Sequence, residues 1–207
     1  GALGNFVGLS LALLGVDSVE VIDPDTIEQA NLNRQILFYD AVGKNKAEVL
    51  AQRMTPHVRS TKGRVAEFSK DSSVKGYDVV FDCVDNFEVR EIISDVCERE
   101  GVPLISGGTS YRAGQVACFF PGLTKTIKDA LGLKDLITAK KKEREERNAG
   151  CIYQPDPSVI MSNQVVGGIM VDQFRRMFSN NVQHKEINAL VRYDSNDPKR
   201  IGRIIYE

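Results

Sequence analysis

The segment YDVVFDCVD, residues 77–85, constrains the fold most strongly. It is a short, near-continuous apolar run with acidic residues at its exit. Such a run is typical of a parallel strand that is buried on both faces of a sheet. A second run, SVEVID at residues 18–23, also ends in an acid. Since helical patterns separate the two runs, the sequence predicts parallel strands that are joined by helices.

Periodicity along the whole chain predicts one α/β domain over residues 1–207. The fold class is a Rossmann-like, doubly wound and mostly parallel sheet, with helices on both faces and antiparallel strands at the C-terminus. Residues 122–157 form a crossover or insertion region in this prediction. The predicted helices are 3–14, 42–54, 87–100, 125–147 and 158–178. The predicted strands are 18–23, 64–68, 77–85, 102–108, 114–120 and two more within 186–207.

The composition narrows the function classes. Of 207 residues, 42% are apolar and 27% are charged, which are ordinary values for a globular domain. The net charge of −1 offers no general attraction for nucleic acid or an anionic membrane, so neither partner is expected. No apolar run reaches the roughly 18 residues of a membrane span. The four cysteines lack C-x-x-C spacing, which argues against a zinc site and favours the reducing cytoplasm.

The chain opens with Gly1-Ala2-Leu3-Gly4 at the start of a helical pattern. These letters fit the end of a G-x-G-x-x-G loop, so the chain begins in mid-motif, and a first strand is expected before it. Gly1 would let the backbone approach a phosphate beside the free N–H groups of the helix. Asp23 ends the next strand, where such folds place an acid against the ribose hydroxyls. A tight helix start without a ligand is the alternative.

Polar and basic residues follow the strand that ends at Asp23. The stretch NLNRQILF begins at Asn31 and contains Arg34, and Lys46 opens the next helical pattern. Asp85 ends the later strand. Because parallel strands deliver their carboxyl ends to one edge of a sheet, these side chains are expected to meet there. Two cations suit the outer phosphates of a nucleoside triphosphate, and a carboxylate suits a divalent metal. The alternatives are surface bases and, for Asp85, a helix cap.

The order of these motifs resembles a known family. The chain carries D-x-D at residues 23–25, N-L-N-R-Q at 31–35, G-x-x-K at 43–46 and D-x-x-D-N at 82–86. On these motifs it is identified as a member of the ThiF/MoeB-type activating enzymes, which are bacterial and archaeal relatives of the ubiquitin-activating enzymes. The resemblance covers about residues 1–122 and, less clearly, 158–178.

The resemblance implies an ATP-dependent adenylyltransferase. Its substrate would be the C-terminal glycine carboxylate of a ubiquitin-like or sulfur-carrier protein, and the expected assembly is a homodimer. By resemblance, Asp85 holds Mg²⁺, and Arg34, Lys46 and the metal neutralise the leaving pyrophosphate, so these residues would be catalytic. The implied nucleotide-binding residues are Gly1, Gly4, Asp23, Asp25, Asn31, Arg34, Lys46 and Asp85.

The sequence departs from the family pattern within residues 122–157. Relatives often carry a zinc-binding C-x-x-C pair there, whereas this chain has a charged helical stretch ending in KKKEREER, interpreted as a solvated face. Cys151 lies in a predicted loop. By resemblance it is a candidate catalytic cysteine that forms a thioester or persulfide-type adduct, and an ordinary loop cysteine is the alternative. Cys83, Cys97 and Cys118 are predicted core residues.

Two other functions fit the same sequence. An enzyme of this fold could adenylate a different carboxylate, on a modified tRNA base or a peptide terminus. A dehydrogenase or a non-catalytic nucleotide-binding subunit is the other possibility, although the sequence shows no acid or base suited to hydride transfer. The apolar helix 158–178 is predicted either at a subunit interface or in the core of the monomer.

Overall fold

The computed structural model describes residues 1–147, 160–179, 189–197, 199 and 201–205. The helices are α1 (Ala2–Leu14), α2 (Lys46–Met54), α3 (Phe87–Glu100), α4 (Ile127–Leu131), α5 (Leu133–Arg147) and α6 (Ile160–Met177). The strands are β1 (Ser18–Ile22), β2 (Ser60–Arg64), β3 (Val80–Asp82), β4 (Leu104–Thr109), β5 (Ala113–Phe119), β6 (Ala189–Asp194) and β7 (Ile201–Ile205). Two short 3-10 helices, Gln29–Asn31 and Ile36–Phe38, lie between β1 and α2.

The strands form two sheets, and each parallel pair is connected through a helix. β1 pairs with β2 in parallel, with α2 between them in the chain. The second sheet has the order β3–β4–β5–β6–β7, in which β3 and β4 are parallel and the other neighbours are antiparallel. The predicted Rossmann-like α/β fold is confirmed. Its antiparallel part begins at β5 and is therefore larger than the C-terminal pair predicted from the sequence.

Local signals explain where the helices beside the sheets begin and end. The side chain of Asn45 accepts hydrogen bonds from the backbone of α2, and Asn86 does the same for α3. These bonds satisfy N–H groups that a helix start leaves without partners. Gly15 ends α1 with φ 83°, and Gly101 ends α3 with φ 66°. Glycine tolerates this left-handed backbone, which explains why both helices end where the sequence predicted.

Helices cover both faces of the second sheet, and β4 shows this directly. A Cβ added to Gly107 would lie 2.3 Å from the sulfur of Met170 in α6. A Cβ on the next residue, Gly108, would instead lie 2.9 Å from Nη1 of Arg90 in α3. Successive residues of a strand point to opposite faces, so α6 and α3 lie on opposite sides of β4.

The long apolar helix α6 belongs to the core. Its buried residues include Val166 and Met170, which pack with residues of α1, β4 and β5 in one apolar cluster. A Cβ at Gly167 would come 2.9 Å from Cβ of Phe6, so this glycine lets α6 approach α1 closely. Of the two predicted alternatives for this helix, the structure supports the core of the monomer, with the close contact at Gly167.

Several predicted elements have different bounds in the structure. The helix predicted at 42–54 begins at Lys46, and the strand predicted at 77–85 is the shorter β3, Val80–Asp82. The strand predicted at 64–68 is β2, which lies at Ser60–Arg64 and has no apolar run. It forms because it pairs along β1, and because Gly63 leaves room for α2, whose Glu48 Cα would lie 2.6 Å from a Cβ at that position. The helix predicted at 125–147 is divided at Gly132, which has φ 60° and ends α4.

Within the residues that the structure describes, no helix combines the length and the apolar character that a bilayer crossing needs.

Candidate functional site

A cleft of about 1310 Å³ opens at the carboxyl ends of β1, β3 and β4. Small-molecule sites commonly occupy about 300–1,000 Å³, so the cleft has room for more than one small ligand. The structure brings seven of the predicted site residues to its walls. They are Gly1, Asp23, Asp25, Asn31, Arg34, Lys46 and Asp85.

The end of β1 meets the start of α1. Oδ2 of Asp23 lies 3.1 Å from the backbone nitrogen of Gly1, and its Oδ1 accepts a hydrogen bond of 2.9 Å from the backbone of Asp25. The hydrogen bond from Asp25 orients Asp23 beside the helix N-terminus, where backbone N–H groups favour an anion. Gly4 is not among the described residues that line the cleft, and a Cβ there would make an ordinary 3.8 Å contact with Cys83.

Lys46 is a nearly buried cation in the same wall. Its side chain is 10% exposed, and Nζ lies 2.7 Å from Oδ2 of Asp25, whose own side chain is 62% exposed. The side-chain amide of Asn45 donates to the backbone oxygens of Asp23 and Asp25, at 3.1 and 2.9 Å. These bonds hold the start of α2 against residues 23–25. As a result, the ammonium group of Lys46 lies in the wall of the cleft.

Arg34 and Asn31 belong to the polar stretch that follows β1. Nη1 of Arg34 donates to the backbone oxygen of Ala30 at 3.0 Å and to Oδ1 of Asn33 at 2.8 Å. In the part of the chain that the structure describes, no carboxylate forms an ion pair with Arg34, so its charge is available to an anion. Oδ1 of Asn31 accepts from the backbone of Glu28, which leaves the NH₂ group of Asn31 for a ligand.

Asp85 lies exposed in the loop between β3 and α3. Asn86, not Asp85, is the N-cap of α3, so the alternative of Asp85 as a helix cap is wrong. Among the described residues, no group of three or more His, Cys, Asp or Glu side chains could hold a metal ion. Mg²⁺ commonly needs only one or two carboxylates, with water and substrate phosphates as further ligands. Asp85 fits that mode and does not fit an all-protein metal cage.

A buried ion pair under the Asp85 loop was missed by the sequence analysis. Nε of Arg90 lies 2.9 Å from Oδ2 of Asp82, and both side chains are at most 2% exposed. Ser106 donates to the same carboxylate at 2.6 Å, and the backbone of Val84 donates at 3.0 Å. Burial raises the pKa of the Asp82 carboxyl, although Arg90 and these hydrogen bonds act in the opposite direction. An available signal was that Arg90 falls on the buried face of α3 with Ile93.

Two further residues of the cleft differ from their predicted roles. Cys83 is half-buried and lines the cleft, so its assignment to the core is only partly right. Burial raises the pKa of the Cys83 thiol to about 12, which keeps it protonated at neutral pH. Lys140, the first residue of KKKEREER, is solvent-exposed as predicted, but it also lines the cleft, with Nζ 4.4 Å from the ring centre of Phe87. The candidate cysteine Cys151 lies outside the described residues.

The chain is similar in sequence to curated enzymes. The SAMP-activating enzyme E1 of Haloferax volcanii is 37% identical over 127 residues, which are 58% of this chain and 47% of that protein. The molybdopterin-synthase adenylyltransferase of Haemophilus influenzae is 32% identical over 136 residues, which are 62% of this chain and 56% of that protein. The chain thus spans about half the length of these curated relatives.

Solved structures support the fold. The crystal structure of E. coli MccB with AMPCPP and MccA superimposes with a TM-score of 0.79 at 24% identity and covers 99% of this chain and 61% of that chain. The crystal structure of PaaA gives a TM-score of 0.71 at 20% identity and covers 99% of this chain and 70% of that chain. A family model, described as the ThiF family, matches residues 1–204, and this chain therefore belongs to the ThiF family.

Proposed function

We propose that this chain forms the nucleotide-binding part of an ATP-dependent adenylyltransferase that activates the C-terminal carboxylate of a ubiquitin-like or sulfur-carrier protein. One observation carries the proposal: two cations, a carboxylate and a helix N-terminus line a single cleft beside Asp23. A triphosphate needs several positive groups along its length, whereas a dinucleotide needs fewer. The names of the curated relatives, which include adenylyltransferases and an activating enzyme, point to the same chemistry.

Each residue has a role that follows from its position. Asp23 accepts hydrogen bonds from the ribose, beside the α-phosphate at the start of α1. Lys46 leaves the exposed carboxylate of Asp25 for a phosphate oxygen, and Arg34 adds a second charge, with Asn31 as a neutral donor. Asp85 would hold Mg²⁺, which when bound adds positive charge at the phosphates.

The reaction is an in-line displacement. One oxygen of the acceptor carboxylate forms a bond to the α-phosphorus. The bond from that phosphorus to the bridging oxygen breaks, and pyrophosphate leaves with its electron pair. Because little proton transfer is required, catalysis depends on positioning and on neutralising the departing charge. Arg34 and Lys46 supply that charge from fixed positions in the wall.

We also propose Mg²⁺ dependence, a homodimer and a cytoplasmic location. Cys83 and Cys97 are free thiols, which fits a reducing compartment. The family resemblance supports the dimer. Light scattering during size-exclusion chromatography of the full-length protein tests it, and a monomer at micromolar concentration would contradict that part of the proposal.

ATP–pyrophosphate exchange tests the activity. We expect full-length protein to exchange pyrophosphate only when a small carrier protein ending in Gly-Gly and Mg²⁺ are both present. Asp85→Ala should abolish exchange, whereas Glu88→Ala, which removes an equal charge one helical turn away and outside the cleft, should not. Exchange driven instead by tRNA or by an unrelated peptide would identify a different acceptor and overturn the carrier assignment. Unchanged exchange in Asp85→Ala would overturn the metal assignment.

A further inference from the structure

Arg90 occupies an unusual place for a charged side chain. It is 2% exposed, it extends from the first turns of α3, and yet it lines the cleft. Its guanidinium lies between the ends of β3 and β4, where Asp82 and Ser106 are paired across the two strands. A buried arginine must have its charge and its five N–H donors satisfied, so the partner of each nitrogen is informative.

Two of the three nitrogens face protein groups, Nη2 through hydrogen bonds and Nε through an ion pair that does not form a hydrogen bond. Nη2 donates to the backbone oxygen of Gly107 at 2.7 Å and to that of Val84. Nε faces the carboxylate of Asp82 at 2.9 Å. These contacts tie the residue before Asp85 to β4 and fix the plane of the guanidinium. The side chain therefore cannot swing away as an exposed lysine or arginine can.

Nη1 is the remaining nitrogen. It forms no hydrogen bond with any residue that the structure describes, and it is not among the fully enclosed polar atoms that lack a partner. It therefore reaches the cleft surface. Gly108 leaves the space for it, because a Cβ there would lie 2.9 Å from Nη1. An unused donor on a buried cation is costly unless a ligand or water supplies an oxygen.

We propose that Nη1 of Arg90 binds one oxygen of the acceptor's C-terminal carboxylate, leaving the other oxygen to attack the α-phosphorus. This inference rests on the proposed function. Arg34 and Lys46 lie on the β1 side of the cleft, where they face the outer phosphates. Gly108 belongs to β4, beyond Asp85, so Nη1 faces the region from which a second substrate would meet the α-phosphate.

The chemistry of the pair favours a carboxylate over a further phosphate. Asp82 already balances the charge of Arg90, so the site offers a directed, charge-assisted hydrogen bond rather than a surplus of positive charge. Such a bond selects for a planar oxygen acceptor at a fixed angle. A C-terminal amide, with one oxygen and a competing NH₂ group, would be recognised less well.

Peptide binding tests the inference. Full-length protein is saturated with AMPCPP, which blocks adenylyl transfer, and is titrated with a short synthetic peptide ending in Gly-Gly, as the free acid and as the C-terminal amide. Wild type should prefer the acid. Arg90→Lys should lower affinity for the acid by about 10–100-fold and leave affinity for the amide and for AMPCPP within about threefold.

Two companion variants complete the experiment. Arg99→Lys makes the same change on the exposed part of α3, where the side chain contacts the backbone of Lys70 and Ser72, and should behave as wild type. Gly108→Ala keeps Arg90 but places a methyl group 2.9 Å from the present position of Nη1, so the guanidinium must shift, and the preference for the acid should weaken severalfold. If Arg90→Lys does not fold, Gly108→Ala decides the question.

The possible outcomes distinguish a failure of the proposed role of Arg90 from a failure of the proposed adenylyltransferase function. If wild type binds acid and amide equally, carboxylate recognition is absent and the proposed function fails together with the inference. If wild type prefers the acid and both variants keep that preference, the function stands and the role of Arg90 is overturned. An equal loss of AMPCPP and acid binding would show that Arg90 only supports the cleft, and it would also overturn the inference.

Discussion

Lys46 and Arg90 both line the cleft, and each is paired with a carboxylate in a very different environment. Lys46 and Asp25 are 2.7 Å apart, and Arg90 and Asp82 are 2.9 Å apart. The side chain of Asp25 is 62% exposed, whereas that of Asp82 is fully buried. The first pair joins a loop to a helix start, and the second joins α3 to two neighbouring strands.

In the proposed function the two pairs would respond differently to a ligand, because one carboxylate is exposed to water and the other is buried. An exposed carboxylate regains water when its partner leaves, so Lys46 can exchange Asp25 for a phosphate at little cost. Asp82 has no water to replace Arg90, and separating them would leave a buried charge without a partner. The β1 side can therefore respond to a ligand, while the β3–β4 side keeps its geometry.

The largest predicted effect is on stability. Arg90→Met should lower the free energy of unfolding by about 3–5 kcal/mol at neutral pH, since Asp82 loses its partner in the interior. Lys46→Met should cost less than about 1 kcal/mol, because Asp25 is already in contact with solvent. Urea unfolding followed by circular dichroism measures both. Equal losses in the two variants would contradict the distinction between the pairs.

Lys46→Met, which should have the smaller effect on stability, should have a large effect on catalysis. Lys46→Met should reduce carrier-dependent ATP–pyrophosphate exchange by about 100–1,000-fold, a size typical of removing one charge-stabilising donor from an active site. Lys44→Met is the matched control, since Lys44 is exposed and outside the cleft, and it should keep wild-type rates. A Lys46→Met enzyme with more than about half of the wild-type rate would remove Lys46 from the mechanism.

The pH dependence of stability provides a smaller effect. Burial raises the pKa of Asp82 above its usual value of 3.8, and Arg90→Met removes a group that lowers it. A folded state whose acid has a raised pKa takes up a proton before the unfolded state does. The stability deficit of Arg90→Met should therefore shrink by at least about 1 kcal/mol between pH 7 and pH 4.

A second substitution checks this explanation. Adding Asp82→Asn to Arg90→Met removes the titrating group, so the deficit of the double variant relative to the Asp82→Asn single variant should be nearly independent of pH. Unfolding curves at several pH values distinguish the two variants. The same pH dependence in both would show that a group other than Asp82 takes up the proton.

The smallest predicted effect concerns Lys140, a cation with an aromatic neighbour. Lys140→Ala should weaken ATP binding about two- to fivefold, which matches about 0.5–1 kcal/mol for one exposed cation in the cleft wall. Lys141→Ala, its exposed neighbour outside the cleft, should have no effect. Titration of a fluorescent ATP analogue measures both. If Lys140→Ala and wild type bind the analogue with the same affinity, Lys140 has no part in ATP binding and is only a solvated surface residue.

The sequence predicted the residues on the β1 side of the cleft better than those on the β3–β4 side. Asp23, Arg34 and Lys46 follow a strand or open a helix, so their positions along the chain were enough to bring them to one sheet edge. Arg90 lies in the first turn of α3 and Ser106 lies inside β4, and polar residues at such positions give no local sign of their partners. Lys140 reached the cleft only because α5 packs beside α3.

The sequence by itself determined the alternation of strands and helices, the helix ends at Asn45, Asn86 and Gly101, and the motifs that mark the family. These are local properties, set by periodicity, capping and backbone freedom within a few residues. Only the tertiary structure decided which charges are buried and paired. The contact of Asp82 with Ser106 depends on the register of two strands more than twenty residues apart. The burial of each ion pair, which sets the free-energy cost of breaking it, depends on how all the helices and strands pack together.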